Sequence, residues 1–364
     1  MKHSDSITIF QLTLMVTTFC GIKNHVLLIP PLLQMAGRDG WMSCIVALLF
    51  ILVWGFLLIF IHRGTQQQHL TLWFKNTVGT PIAFVFTLLI CFVLFTIAVA
   101  DLRETVSWTK NIYMPNTPSW VLALSLSLLC FLTAASNLRT ISIINFLMIF
   151  FLVSVGTFVA IINIPLKNYQ LLLPFYENGP IPILKASIYP ASGLVELMMM
   201  LFLQHKIEGP IRYRHILINA FILVILIIGP LIGSITEFGP SLAAKQRYPA
   251  YEQLGLARLG SFVEHLDYLS IFLWLSGVYI RISTVLFILI DITGVQTERT
   301  RRLIFVFLFL FVNGLVLIPL TDMQFFSYMT YILIPVNLFI LLGLSFIWGL
   351  ILILHRGKET RKSL

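Results

Sequence analysis

The residues able to do chemistry in this chain are few, and they sit among apolar neighbours. At residues 17–31, TTFCGIKNHVLLIPP, a long apolar run is interrupted by Gly21, Ile22, Lys23, Asn24 and His25. At 186–200, ASIYPASGLVELMMM brings Tyr189, Pro190, Ser192, Gly193 and Glu196 together. Residues 98–110, AVADLRETVSWTK, carry Asp101 and Glu104, which share a helix face at i, i+3. Residues 261–283, SFVEHLDYLSIFLWLSGVYIRIS, carry Glu264 and Asp267 at the same spacing, then Arg281 about 21 Å further along at the helical rise. These residue types bind and pair charges. No G-x-S-x-G, H-E-x-x-H, phosphate-binding loop or paired C-x-x-C is present, so no enzyme is expected. Cys20, Cys44, Cys91 and Cys130 fall singly in apolar segments, without disulfide or zinc spacing; no metal and no cofactor are expected.

The spacing limits what each group can do. Lys23 lies roughly 22 Å into its helix at the helical rise, deep for a side chain that only snorkels to a surface. A kinked helix with Lys23 and His25 reaching a surface is one reading. The other is a binding site at a helix break, because Gly21 lowers helix propensity and Pro30 and Pro31 remove backbone donors. Pro190 and Gly193 allow the same two readings, a mere kink or a second break. A break exposes N–H groups and positive dipole ends to an anion such as a carboxylate. Asp101 and Glu104 read either as an interfacial helix end or as an acidic pair in an outer vestibule. Arg281 must pair with backbone carbonyls or with a carboxylate of another segment, a structural ion pair rather than a substrate contact.

The elements that position these groups must lie in a bilayer. Of 364 residues, 58% are hydrophobic and 11% charged, and the mean hydropathy is +0.94. A soluble domain carries about 25% charged residues. Apolar runs long enough to cross the ~30 Å hydrocarbon core recur along the chain. In lipid such runs satisfy their backbone only as helices, and the alternation of membrane strands is absent. The expected fold is an all-α integral membrane protein of ten transmembrane helices in one domain, 1–364. Spans are expected at about 8–36, 40–61, 81–109, 119–136, 140–163, 184–204, 214–235, 262–290, 302–320 and 326–354. The first is expected to be retained, since polar residues interrupt it and no small-x-small cleavage site follows. The loop at 236–261 reads as a short amphipathic stretch on a membrane face.

With both termini placed in the cytoplasm, the inner segments hold most of the Lys and Arg, among them Arg63, Arg212, Arg214, Arg299, Arg301 and Arg302. The net charge of +9 is then topology and contact with anionic lipid; no nucleic-acid partner is expected. The two interruptions fall in spans 1 and 6, which open two five-span halves, about 8–163 and 184–354. Five is odd, so the second half enters from the opposite side. An inverted repeat with matching broken helices points to a small-solute site at the midplane.

At this level the chain resembles the amino acid–polyamine–organocation transporter superfamily, with its LeuT-type 5+5 fold. More narrowly it resembles the B subunit of bacterial spore germinant receptors. The likeness is carried by LLIPPLL, DGWMSCIVALLF, NTPSW, MLFLQHKIEGPIRYRH, YPAYEQL and VLIPLTDMQFFSYMTYILIPV in order along the chain. It is most specific at the entry to span 8, where Phe262, Glu264, Asp267 and Trp274 match and His265 replaces an arginine. Lys23 and His25 stand where relatives resemble small residues. Gly193-Leu-Val-Glu196 is one residue longer than the family's small-Gly-x-Glu, and the family carboxylate of span 3 maps onto Asp101. The resemblance implies germinant sensing: a small amino-acid-like nutrient bound by residues 21–25 with Tyr189, Ser192, Gly193 and Glu196, A and C partner subunits, and residence in the spore inner membrane. The alternative is a proton- or cation-coupled amino-acid permease acting alone.

Overall fold

The computed structural model describes residues 5–258, 266–295 and 297–362. The first half holds α1 (Ile9–Ile22), α2 (Ile29–Ala36), α3 (Gly40–Gly64), α4 (Leu70–Val78), α5 (Thr80–Ile112), α6 (Ser119–Ala135) and α7 (Leu138–Ile162). The middle holds α8 (Pro180–Ala186), α9 (Ile188–Leu194), α10 (Met199–Phe202) and α11 (Tyr213–Phe238). There follow α12 (Pro240–Ala243), α13 (Pro249–Leu256), α14 (Leu269–Asp291), α15 (Glu298–Val316), α16 (Asp322–Tyr328) and α17 (Ile334–Lys362). Two short strands, β1 (Ile7–Thr8) and β2 (Ile207–Glu208), pair in parallel.

Local sequence explains the ends. Thr8 caps α1 in a reciprocal pair with Gln11, Asn137 caps α7 by accepting from Thr140 N–H, and Thr321 with Gln324 does for α16 what Thr8 does for α1. Prolines 81, 180, 240 and 249 begin helices, where a missing donor costs nothing. Gly37 turns the chain between α2 and α3 at φ +55°, a conformation that side chains rarely adopt.

Among the described residues, seven helical runs are long and apolar enough to cross a membrane: Ile29–Gly64, Thr80–Ile112, Leu138–Ile162, Pro180–Phe202, Tyr213–Phe238, Leu266–Asp291 and Asp322–His355. Ser119–Ala135 is a shorter apolar helix. The chain is therefore an all-helical, multi-pass membrane protein. Its surface agrees: Val53, Phe150, Ile225 and Leu310 are among many large apolar side chains pointing outward. Lys23, Asp101, Glu104, Glu196 and Arg281 are buried within. A water-soluble protein distributes these groups the other way round.

The core of the bundle is α14, which packs on α1, α5, α6 and α7. Its Trp274 stacks on Trp108 of α5 with indole centroids 4.4 Å apart. Residues from both ends of the chain share one end of the bundle: Ile7 pairs with Ile207, His62 binds Gln204, and Leu352 packs on Gly64. The segment expected as the loop 62–80 contains α4, whose Trp73 and Phe74 are buried.

Candidate functional site

Two irregular turns set the site. After α1 the backbone widens into a π-helical turn, Lys23–Leu27, before α2 begins. The prolines at 30 and 31 cannot donate to the carbonyls of Val26 and Leu27, and the Leu28 N–H reaches back to the Lys23 carbonyl at 3.3 Å instead of to Asn24. Opposite, α9 tightens into a 3₁₀ turn, Val195–Met198, ahead of α10. The π turn meets α9 at Gly193, just ahead of the 3₁₀ turn. A Cβ there would lie 1.7 Å from Asn24 Oδ1 and 2.8 Å from its Cγ. Gly193 thus lets the Asn24 amide press against the backbone of α9.

Around this contact lies a network of buried charges. Lys23 Nζ donates to the Ser192 carbonyl and to Glu196 Oε1, both at 3.0 Å. Arg281, from α14, holds the same carboxylate with two nitrogens, Nη1 to Oε2 at 2.6 Å and Nη2 to Oε1 at 3.1 Å. Its Nε donates to Asp101 Oδ2 at 2.6 Å, Nη1 also binds the Phe19 carbonyl, and the guanidinium stacks over the Phe19 ring. Two cations and two carboxylates from the π turn, α5, the 3₁₀ turn and α14 therefore form one connected set. Buried charges survive only with such pairing and extra hydrogen bonds. Lys23 does not snorkel: it is 6% exposed and both of its bonds point inward.

Asn24 differs from its neighbours. Its side chain is fully buried, and neither its oxygen nor its nitrogen has a hydrogen-bond partner. An orphan amide of this kind costs about 1–3 kcal/mol for each unmet group. His25 turns away from the charges and bonds the Leu226 carbonyl of α11 through Nδ1 at 3.2 Å. Ile22 packs on Gly277. Gly21 faces Leu226, where a Cβ would approach the Leu226 side chain to 3.1 Å. Tyr189 and Ser192 are buried, and the Ser192 hydroxyl donates to the Tyr189 carbonyl at 2.6 Å.

Asp101 and Glu104 take different partners. Asp101 faces Arg281, while Glu104 is held by Arg247 and by the Tyr248 hydroxyl at 2.9 Å. Burial pushes the Tyr248 phenol well above its ordinary value and the Glu104 carboxylate adds to it, so Tyr248 stays protonated and donates. A narrow cleft lined by Ile22, Val26, Asp101, Glu104, Trp274 and Val278 leads toward the charges. Glu264 lies outside the described residues. Asp267 stands at the start of the α14 segment, where its carbonyl accepts from Tyr113, and is not part of the Arg281 network.

Arg247, Tyr248 and Phe19 were not singled out in the sequence. The first two lie in the string YPAYEQL or beside it, whose lone arginine next to an aromatic was the available signal. Phe19 contributes a backbone carbonyl, which no residue type announces.

Comparison with known proteins places the chain in a family. The family model described as "Spore germination protein" matches residues 6–325. "Spore germination protein XB" of Bacillus anthracis is 35% identical over 347 residues, 94% of this chain and 98% of that protein. "Putative spore germination protein YfkT" of Bacillus subtilis (strain 168) is 24% identical over 280 residues, 75% of each chain.

Proposed function

The chain belongs to the spore germination protein family, and on that premise we propose that it is the germinant-sensing membrane subunit of a spore nutrient receptor. It binds a small amino-acid-like nutrient where the π turn at Lys23–Leu27 meets Gly193, and it signals to A and C partner subunits. The observation that carries this reading is Asn24, an amide with its donor and its acceptor both unmet at the meeting point of two helix breaks. An amide of this kind complements a ligand that offers both a donor and an acceptor, as a zwitterion does. Lys23 is the fixed ammonium of the site: it takes the Ser192 carbonyl and Glu196, the positions that a mobile cation would need in a coupled carrier.

The architecture that suits this reading is ten spans in two inverted halves, 8–163 and 184–354, with LeuT-type breaks in the first and sixth. The π turn and the 3₁₀ turn at the corresponding places support it. The end of the bundle that holds Ile7 and Leu352 faces the cytoplasm, and the membrane is the spore inner membrane; the basic residues at 212–215 and 299–302 support that orientation. Binding of a panel of labelled amino acids to the purified protein tests the site. Saturable binding of at least one, lost in Asn24→Leu, is expected. Binding unaltered by Asn24→Leu removes the site.

A further inference from the structure

A second cluster lies at the end of the bundle that gathers the chain's beginning and end, away from the helix breaks. His69 precedes α4, His205 lies in the turn after α10, and Asp291 ends α14. Their ligating atoms all fall within 4.8 Å of one another. His205 Nε2 is 3.0 Å and His69 Nε2 3.5 Å from Asp291 Oδ2, and the two rings tilt with centroids 4.4 Å apart.

The hydrogen bonds around His69 accommodate either ring tautomer. Thr71 has one hydroxyl hydrogen, and the Ile292 carbonyl lies 3.2 Å from it. Assigned there, the hydrogen leaves Thr71 Oγ1 to accept from His69 Nδ1–H at 2.9 Å. In that tautomer His69 Nε2 carries a lone pair; in the other, Nε2–H donates to the Asp291 carbonyl at 3.2 Å and the Thr71 hydroxyl donates to Nδ1. With both imidazoles carrying their lone pair on Nε2, these two nitrogens and Asp291 Oδ2 converge as a ligand set for a cation. Lys206 does not supply it. Its ammonium is held by Asp5 and lies 3.4 Å from the other oxygen, Oδ1, which leaves Oδ2 to the two imidazoles. The frame is fixed beforehand. Gln204, next to His205, is buried and bonded to His62, Thr65 and the Gln68 carbonyl, all near His69.

We propose that His69, His205 and Asp291 form a binding site for a divalent first-row transition-metal ion of the zinc class. Two imidazoles and one carboxylate oxygen suit such an ion, with a fourth position left for water. A bound ion ties three segments that are far apart in sequence, the loop before α4, the turn after α10 and the end of α14. It therefore clamps this end of the bundle. The Lys206 ammonium competes electrostatically for Asp291.

Zinc ions titrated into the full-length protein in detergent, followed by calorimetry and thermal unfolding, provide the test. The expected result is one saturable site per chain and a melting temperature that rises with zinc. His69→Gln and His205→Gln, shown by gel filtration to be folded, each weaken binding by about tenfold or more. Lys206→Met tightens it, a change that a purely structural role for Lys206 does not produce. The site is overturned by absent saturable binding, or by zinc affinity equal in the wild type and both histidine variants. It is also overturned if stability follows pH through His69 and His205 with no response to zinc, which makes the cluster an ion pair of charged histidine with Asp291. None of these outcomes bears on nutrient binding at Asn24, so the two readings fail separately.

Discussion

Lys23 is the residue whose place in the sequence raised the question of a site, and its bonds define what removing it does. Lys23→Met takes one cation from Glu196, but Arg281 still grips that carboxylate with two nitrogens. The loss of stability is expected to be about 1–3 kcal/mol, with membrane insertion intact, while the germination response to nutrient is abolished; a variant that responds normally places Lys23 outside the site. Arg281→Met is different, because it leaves Asp101 without its cation and Glu196 with Lys23 alone. Breaking a buried pair costs about 3–5 kcal/mol, so this variant is expected to accumulate poorly in membranes, which immunoblotting reads directly. Sequence reasoning reached these charges from their depth: an arginine or lysine far inside an apolar helix must have a partner. It could not say which. Arg281 meets Asp101 and Glu196, which are 180 and 85 residues away in the chain, and only the folded bundle brings them together. Asn24 was visible as a polar residue, but that both ends of its amide are unmet is a property of packing alone.

At the scale of elements, the two breaks act as one contact. Gly193→Ala is expected to force Asn24 out of its place, since the added carbon would meet Asn24 Oδ1 at 1.7 Å and Leu28 Cδ1 at 3.0 Å. Overpacking of this kind costs about 1–3 kcal/mol. The double variant Gly193→Ala, Asn24→Ala relieves the contact, so thermal stability is expected to recover while nutrient binding does not. Recovery of both would mean that Asn24 only fills space. The helix breaks were legible because proline and glycine have fixed backbone consequences. Their form was not: whether Pro30 and Pro31 give a kink, a gap or a widened π turn depends on what packs against them. Arg103 makes the same point elsewhere. In sequence it simply points away from Asp101. In the bundle its guanidinium donates to the carbonyls of Val316, Ile318 and Leu320, each at 2.8 Å, and so holds the chain as it leaves α15. Arg103→Gln is expected to lower stability by on the order of 3 kcal/mol, seen as an earlier thermal transition, without altering nutrient affinity.

On the proposed reading the whole molecule reports that a solute has bound; the alternative is that it carries one across, and the buried charges bear on which. A coupled carrier has to gain and lose a cation or proton in each cycle, and its site must release solute on both faces. In this chain the carboxylate of Glu196 is already paired with Lys23 and Arg281, and Asp101 with Arg281, so the cluster is internally neutralised. Sensing asks less: a ligand need only favour one conformation over another, and a partner reads the shift. About 5.5 kcal/mol of differential affinity moves such an equilibrium from 1:99 to 99:1. We therefore predict that purified protein in liposomes, without partner subunits, will not concentrate labelled amino acids under an imposed proton or sodium gradient. We also predict that purification from spores will recover a partner bound at the face carrying residues 212–215 and 299–302. Gradient-driven accumulation that disappears in Lys23→Met would establish the permease instead, because then the same lysine must change its charge or its partner during transport. Binding energy at Asn24 would in that case be divided between two faces of the membrane, and the affinity measured from each side would have to differ once the gradient is applied.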